Sequence, residues 1–284
     1  MLDPGELSKI RFKETRPAQS TVEKLIKSEA KVLSEFFGKK IDVPKPPPQL
    51  FQTLETLRTL NISGFQPHYL PKYVLQESDN LPGWKIKLTP WFWQEVKAER
   101  IDKKTRFLRE GKVEYNAATL IEAWYLVDGR SKPNFDNGKQ MYQDDGYIGS
   151  VMQDLRRKAS LRKDSHMPDK SRFGASAGEI EQVIAPKVAR LIKTQEIMRK
   201  LRAIEFNIWG NMFHPEWGQT NTWELLQDKY KINAIKGDCR LIGGNSDYKS
   251  YEVVGGLGAV SFIYAEEVGN NIGFRLLVEF PLKS

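Results

Sequence analysis

Residues 270–276 of this 284-residue chain read NNIGFRL, and they decide the fold class. Isoleucine, phenylalanine and leucine alternate there with glycine and arginine, and the apolar run continues to Phe280, which is the pattern of a strand with a buried face. We expect this strand to be central, a part of the core rather than a dispensable tail. Two related motifs precede it, namely NTWEL at 221–225 and CRLIGGNS at 239–246.

In this order, the three motifs resemble the closing core of the formylglycine-generating-enzyme, or sulfatase-modifying, family. The resemblance covers residues 203–284 well and the rest of the chain loosely. It implies that Trp223 fills the core beneath a loop-rich surface, that Gly243-Gly244 permits a close backbone approach, and that Arg275 binds carbonyls of neighbouring loops. The expected fold class is α+β, a C-type-lectin-like domain of the formylglycine-generating-enzyme type with helical insertions and an N-terminal helical extension.

A narrower resemblance indicates a function. Five motifs look like variable proteins of diversity-generating retroelements, which display a mutable ligand-binding surface on a C-type-lectin fold. They are KPNFDNGKQ at 132–140, SRFG at 171–174, EFN at 205–207, FHPEWG at 213–218 and GGNS at 243–246. This resemblance implies a ligand-binding display protein, not an enzyme, with a diversified region at about 240–276.

The expected contact face lies between Asn245 and Asn271. Tyrosine supplies rigid contact area, while serine and asparagine supply adaptable hydrogen bonds, as in antibody loops. The ligand would be a macromolecule, either a protein or a glycan. The alternative is that these are ordinary surface residues of a β-rich domain. The predicted contact residues are Asp247, Tyr248, Ser250, Tyr251, Ser261, Tyr264 and Asn270.

An enzyme of the same family with altered chemistry is the first alternative. The family reaction relies on a cysteine pair downstream of the glycine pair, whereas residues 247–269 contain no cysteine. The single cysteine, Cys239, lies upstream and is expected to be buried and unreactive. We therefore predict no catalytic residues, although a deep pocket with converging polar groups would favour the enzyme.

No metal or cofactor is predicted either. The three histidines, His68, His166 and His214, lie far apart in sequence, and a structural role is expected for them. Asp136 and Asp144-Asp145 could form a calcium loop, but acidic residues at this place more often cap the helix that follows. The glycines at 255–258 lack the lysine and the strand–helix setting of a phosphate-binding loop.

Charge raises a second alternative, a nucleic-acid-associated protein. The net charge of the chain is +8, but residues 151–202 carry +7 of it and residues 203–284 carry −3. The excess is concentrated in the basic run Arg156-Arg157-Lys158 with Arg162-Lys163. We interpret this run as a solvated helix face, since no aromatic residues interleave with it as they would for stacking on bases.

The chain is divided at a proline-rich segment. Residues 20–37 have helical periodicity and stop at Gly38, and the prolines at 44–48 form a stiff connector. The predicted parts are a helical extension with its connector, 1–48, and a lectin-like domain, 49–284. Neither a signal-peptide pattern nor an apolar run of about 18 residues is found, so we expect a cytoplasmic protein with no membrane span, with surface display by another route left open.

Other elements follow from local patterns. We expect loops at 64–71 and 89–93, where proline and aromatic residues cluster, with a weak family match to a strand at 88–92. The remaining expectations are helices at 50–60 and 147–163, a helix after the capping box Ser176–Glu179 that kinks or restarts at Pro186, and strands at 119–128, 253–254, 260–264 and 272–280.

Overall fold

The computed structural model describes residues 19–108, 111–143, 145–163, 165–232, 238–250 and 253–282. Helices and strands share one core, which confirms the α+β class. Within these ranges no helix is both long and apolar enough to cross a bilayer. The helices are α1 (Gln19–Phe37), α2 (Pro48–Thr59), α3 (Pro90–Lys97), α4 (Gly146–Arg157), α5 (Ala177–Glu179), α6 (Ala185–Leu191) and α7 (Ala203–Met212).

In the described part of the chain, the strands fall into two four-stranded sheets and three short pairs. They are β1 (Phe65–Leu70), β2 (Tyr73–Val74), β3 (Lys104–Leu108), β4 (Gly111–Tyr115), β5 (Thr119–Leu120), β6 (Ala123–Asp128), β7 (Ile197–Lys200), β8 (Trp223–Tyr230), β9 (Cys239–Gly243), β10 (Lys249–Ser250), β11 (Val253–Val254), β12 (Val260–Tyr264), β13 (Ile272–Phe274) and β14 (Leu276–Pro281). The strands expected at 253–254 and 260–264 are therefore present. The single strand expected at 119–128 is instead two strands, β5 and β6, which belong to different sheets.

The first sheet has the order β1-β6-β14-β7, so the C-terminal strand is central, as predicted. Val278 of β14 pairs with Leu126 on one side and with Met198 on the other, both antiparallel. Every residue of β6 is buried. A strand with neighbours on both edges and side chains on two covered faces needs an almost continuous apolar sequence, which is what the chain terminus supplies.

The second sheet has the order β12-β9-β8-β13. The expected single strand 272–280 is in fact two strands, because the chain leaves this sheet after Phe274 and enters the first sheet at Leu276. Arg275 stands at the crossing, and its guanidinium donates to the carbonyls of Asp128 and Arg130. The expectation that this arginine ties down neighbouring loop carbonyls is confirmed.

The N-terminal helix packs directly against the first sheet. Gly38 ends α1 with a φ of +67°, a conformation that favours glycine. The carboxylate of Glu29 in α1 accepts a hydrogen bond from the N–H of Tyr69 at 3.0 Å and contacts Nδ1 of His68 at 3.2 Å. The indole of Trp124 donates to the carbonyl of Pro44 at 3.1 Å. These contacts attach the predicted extension and its connector to β1 and β6.

The helix after Ser176 begins with the predicted capping box. The Ser176 hydroxyl accepts from the N–H of Glu179 at 3.2 Å, and the Glu179 carboxylate accepts from the N–H of Ser176 at 2.8 Å. A five-residue π-helical segment, Ile180–Ile184, then separates α5 from α6. Pro186 lies in the first turn of α6, directly after this segment.

Two stretches that we expected to be irregular are regular. Residues 65–70 form β1 and residues 90–97 form α3, so the loops expected there, and the strand suggested at 88–92, are wrong. Pro67 is tolerated because β1 is an edge strand, which has one side free of ladder hydrogen bonds. Pro90 is tolerated because it occupies the first turn of its helix.

The expectation that Trp223 fills the core is wrong, and a different tryptophan is fully buried. Trp223 is only half-buried, whereas Trp217 is fully buried. The Trp217 ring stacks on His214 at 4.3 Å and on Phe206 at 5.4 Å. Ile242, Ile272 and Phe274 are buried as predicted.

Most of the basic run is paired with acidic groups or carbonyls. Arg157 and Lys158 contact Asp154 at 2.9 and 2.8 Å on an exposed helix face, which agrees with a solvated role. Arg156 differs because it is buried and donates to the carbonyls of Ser171 and Phe173 at 2.7 and 2.9 Å. The prediction of a solvated side chain is therefore wrong for Arg156, which holds a loop instead.

Candidate functional site

Several loops meet where β8 begins. Trp223 pairs with Ile272 and Glu224 pairs with Gly243, so the start of β8, the start of β13 and the end of β9 lie side by side. The segments that precede or follow these residues therefore converge at one end of the second sheet. We name this region the loop end and define it by residues 132–140, 219–223, 244–248 and 269–271.

Lys132 connects two segments of the loop end by hydrogen bonds. It is buried, and its ammonium donates to the carbonyls of Thr222 and Gly244 at 2.6 and 2.8 Å. Burial lowers the pKa of Lys132 to about 7, against the opposing effect of Glu224. Gly244 has a φ of +87°, and a Cβ there would lie 2.6 Å from the Phe206 ring. Glycine at this position therefore allows the backbone to come close to the lysine.

Hydrogen bonds of three asparagines, Asn134, Asn221 and Asn245, join three segments of the loop end. The side-chain oxygen of Asn134 accepts from the N–H of Asn221 at 3.1 Å, and that of Asn221 accepts from the N–H of Phe135 at 2.7 Å. Asn245 donates from its amide to the carbonyl of Asn221 at 2.8 Å and accepts from the N–H of Asp247 at 2.8 Å. Each asparagine thus uses its side chain to fix a neighbouring backbone.

Gln140 fixes the fourth segment. Its side-chain oxygen accepts from the N–H groups of Asp136 and Gly138 at 3.0 and 3.1 Å. Its amide donates to the carbonyl of Asn270, immediately before β13. The motif at 132–140 therefore supplies both Lys132 and Gln140 to the frame, although it lies about 80 residues before the other segments in the sequence.

A buried charge network anchors this frame to the core. The Glu224 carboxylate accepts from the Tyr142 hydroxyl at 2.6 Å and from the Arg275 guanidinium at 3.0 Å. Arg275 also lies 4.0 Å above the Trp217 ring, in cation–π geometry. Burial, together with the charge of Glu224, raises the pKa of Tyr142 well above its ordinary value. The phenol therefore stays protonated and donates to the carboxylate.

Asp145 belongs to a second buried network, and this corrects one prediction. We expected Asp145 to cap α4, but its side chain makes no capping hydrogen bond and instead pairs with Arg172, which also binds Asp128 at 2.6 Å. Although burial opposes ionisation, Arg172, Arg130 and Arg275 hold the pKa of Asp128 at about 2. Asp144, the other expected cap, lies outside the described residues.

Four of the predicted contact residues lie at or beside the loop end. Asp247 and Asn270 are exposed, and Tyr248 is half-buried with its ring edge-on to Trp223 at 5.1 Å. Ser250 follows in β10, where its backbone pairs with Val253. Tyr251 lies outside the described residues.

The other two predicted contact residues lie on β12 and point in opposite directions. Side chains alternate along a strand, so Ser261 faces one side of the sheet while Phe262 and Tyr264 face the other. Tyr264 pairs with Cys239, at the end of the second sheet away from the loop end. The predicted residues therefore do not form one continuous face, and Tyr264 with Phe262 forms a separate exposed aromatic pair, 41% and 38% exposed.

Two residues of the loop end were missed as contact candidates. Phe135 is 37% exposed and its backbone is fixed by Asn221, so it presents an aromatic ring from a rigid loop. Trp223 is half-buried and packs against Tyr248. Both residues lie within the motifs that carry the resemblance. An aromatic residue next to turn residues in these motifs could have identified each of them as a contact candidate.

The histidines and the cysteine take structural positions. His68 and His214 come together, with ring centroids 6.2 Å apart, and each contacts a glutamate through Nδ1, Glu29 and Glu216 respectively. Cys239 is buried, and burial raises the pKa of its thiol. In the part of the chain that the structure describes, no three His, Cys, Asp or Glu side chains are arranged to hold a metal ion.

No protein-family model, curated protein or solved structure matches this chain. The fold and the site define an α+β protein whose four convergent loops are fixed by buried polar side chains. Exposed polar and aromatic residues extend from that frame.

Proposed function

We propose that this protein is a ligand-binding display protein, and that the loop end is its recognition surface. In this proposal the domain is C-type-lectin-like, of the formylglycine-generating-enzyme type, and the chain is a variable protein of a diversity-generating retroelement. The observation that carries the proposal is the contrast between a buried, hydrogen-bonded frame and the exposed side chains that it supports. Lys132 and Gln140 represent the frame, while Asp247 and Asn270 represent the exposed group.

This contrast suits a surface whose side chains vary. Exposed substitutions usually change stability by no more than about 0.5 kcal/mol, whereas leaving a buried polar group unpaired costs about 1–3 kcal/mol. The frame residues bind backbone carbonyls and N–H groups, which every amino acid except proline provides. Side chains at Asp247, Tyr248 and Asn270 can therefore change while the backbone geometry is kept.

The composition of the loop end favours a macromolecular ligand, either a protein or a glycan. Phe135, Trp223 and Tyr248 supply aromatic area, and Asp247 and Asn270 supply hydrogen-bonding groups. Protein interfaces are enriched in aromatic residues, and rigid aromatic side chains lose little conformational entropy on binding. The loops are convergent and exposed, which suits a broad contact with a large partner.

The test is a library at Asp247, Tyr248 and Asn270, scored separately for folding and for binding. Most members should express and melt within a few degrees of the parent. Selection on immobilised protein and glycan arrays should enrich different sequences for different ligands. A second library at Phe262 and Tyr264, which lie at the other end of the sheet, serves as the matched control and should give no such enrichment.

Two outcomes contradict the proposal. One is that most loop-end members unfold, which would make these positions part of the core. The other is that they fold but enrichment follows the Phe262 and Tyr264 library instead, which would place recognition on β12. The variant Lys132→Met provides a positive control for frame loss, because it leaves the carbonyls of Thr222 and Gly244 without their donor.

A further inference from the structure

A separate concave region lies at the other end of β8. It is a cavity of about 650 Å³ between the outer edge of β7, the start of β3, the π-helical segment 180–184 and the end of β8. Sites for small ligands usually measure about 300–1,000 Å³. Because Trp223 starts β8 and Lys229 lies near its end, this cavity and the loop end are at opposite ends of the same strand.

Cationic side chains line much of the wall. Among the described residues, six cationic and three acidic side chains line the cavity, and Arg199, Lys200 and Arg202 are ion-paired with carboxylates. Lys104 is 21% exposed, and Lys103 and Lys229 are exposed at the rim. Apolar residues of the wall include Ile197, which is 49% exposed. The cavity thus combines accessible lysines with an apolar patch.

Lys104 is an accessible lysine within the cavity wall, and its ammonium can donate further hydrogen bonds. Its ammonium contacts the Glu279 carboxylate at 2.7 Å, which uses one of the three donors that a lysine carries. By contrast, Arg199 binds Glu205 and Glu279, and Arg202 binds Asp228 and the carbonyls of Thr119 and Asn116. An anion in the cavity would therefore contact the lysine ammonium, because the guanidinium groups of Arg199 and Arg202 already bind carboxylates or carbonyls.

The electrostatic surroundings of Lys104 also favour an added anion. Burial, followed by the charge of Arg199, lowers the pKa of Lys104 to about 8, although Glu279 and Glu205 oppose this shift. These charges face Lys104 from β7, β14 and α7. The two carboxylates therefore do not fully compensate the buried ammonium, and a bound anion would stabilise its charged form.

We propose that this cavity binds a small organic phosphate, with Lys104 contacting the phosphate group and the apolar wall at Ile197 contacting the organic part. A compact ammonium binds phosphate as a point charge, whereas planar carboxylates are better matched by a free guanidinium, which the wall does not offer among its described contacts. The site is independent of the loop end, and either proposal can fail without the other.

Phenyl phosphate is a suitable probe because it joins a phosphate to an apolar ring, and titration calorimetry measures its binding to the full chain. We expect saturable binding that is tighter than that of inorganic phosphate and absent for phenol. Affinity should fall as the pH rises through about 8, because Lys104 and Lys200, which both line the cavity and have a pKa lowered by burial to about 8, then lose their protons. Lys104→Ala should weaken binding at least tenfold, while Lys170→Ala, an exposed lysine outside the cavity, should not.

A second variant covers the chance that Lys104→Ala does not fold. The double variant Lys103→Glu/Lys229→Glu changes only exposed rim positions and should also weaken binding of phenyl phosphate. Absence of saturable binding to the parent chain overturns the proposal, as does equal affinity in the parent and rim variants. Loop-end variants should retain phenyl phosphate binding. The outcome at the cavity therefore does not depend on whether the proposed recognition surface is correct.

Discussion

The carboxylate of Glu224 lies 3.0 Å from the guanidinium of Arg275, and both side chains are 1% exposed. This pair joins the motif that starts β8 to the motif that crosses between the two sheets. Burying two charges is costly unless the remaining donors and acceptors are also engaged. Tyr142 and the carbonyls of Asp128 and Arg130 provide part of this engagement, so the pair depends on two other parts of the chain. Oε2 of Glu224 and Nε of Arg275 are buried and have no hydrogen-bond partner among the described residues.

Breaking this pair should destabilise the fold strongly. Glu224→Gln or Arg275→Met removes one charge and leaves the other buried without its partner, which typically costs about 3–5 kcal/mol. Urea unfolding followed by tryptophan fluorescence measures the loss. Arg157→Met removes one partner of the exposed contact with Asp154 and should cost no more than about 0.5 kcal/mol. Equal losses in the buried and exposed variants would contradict the assignment.

Truncation after Gly269 should prevent folding. It removes β13 and β14, and β14 is hydrogen-bonded to both β6 and β7 in the middle of the first sheet. Removing only residues 283–284 should leave solubility and melting temperature near those of the parent. The measurements are the soluble fraction on expression and thermal melting by circular dichroism. A soluble truncation at 269 with a cooperative melt would show that the first sheet does not need β14.

Stability should fall as the pH drops from about 6.5 to about 4, in part through His214. Burial lowers the pKa of His214 from 6.5 to about 4, with Arg275 and His68 adding to the shift and Glu216 opposing it. In this pH window the unfolded chain binds a proton that the folded chain does not, so protonation favours unfolding. The loss from this residue is at most about 3 kcal/mol for a shift of this size.

The pH dependence can be assigned by substitution. Melting temperatures measured at intervals from about pH 7.5 to about pH 4.5 should decline less steeply for His214→Phe than for the parent, because the variant lacks the titrating imidazole. The phenylalanine ring can still stack on Trp217, so this packing contact is kept. His166→Gln, a change at an exposed histidine, should keep the slope of the parent. An unchanged slope in His214→Phe would assign the acid sensitivity to other groups.

Cys239 should be dispensable for function. It is buried in β9 beside Tyr264 of β12, and burial raises the pKa of its thiol, which disfavours the reactive thiolate. Cys239→Ala should cost about 1 kcal/mol of stability and leave loop-end selection unchanged. The measurements are urea unfolding and the binding library. Loss of binding in a variant with a parental melt would favour the enzyme alternative.

Patterns of local sequence predicted the parts of the fold that depend on interactions between residues close together in the sequence. Helical periodicity and a glycine stop gave α1, and the reciprocal serine and glutamate gave the capping box at Ser176. The C-terminal run predicted a central strand with one buried face, and the strand is central. Both of its faces are in fact buried, because residues 276–280 are buried without alternation. Prolines at 67 and 90 misled the prediction, since proline is also compatible with an edge strand and with a first helical turn.

The sequence by itself determined the α+β class, the main amphipathic elements and the motifs that converge at the loop end. Only the tertiary structure decided which residues those motifs touch, because Lys132 meets Thr222 and Gly244 across long stretches of chain that carry no local signal. It also separated Tyr264 from Asp247 and Asn270, since strand register and alternation fix the direction of each side chain. The cavity at Lys104 depends likewise on β3, β7 and β8, which meet only after the chain has folded.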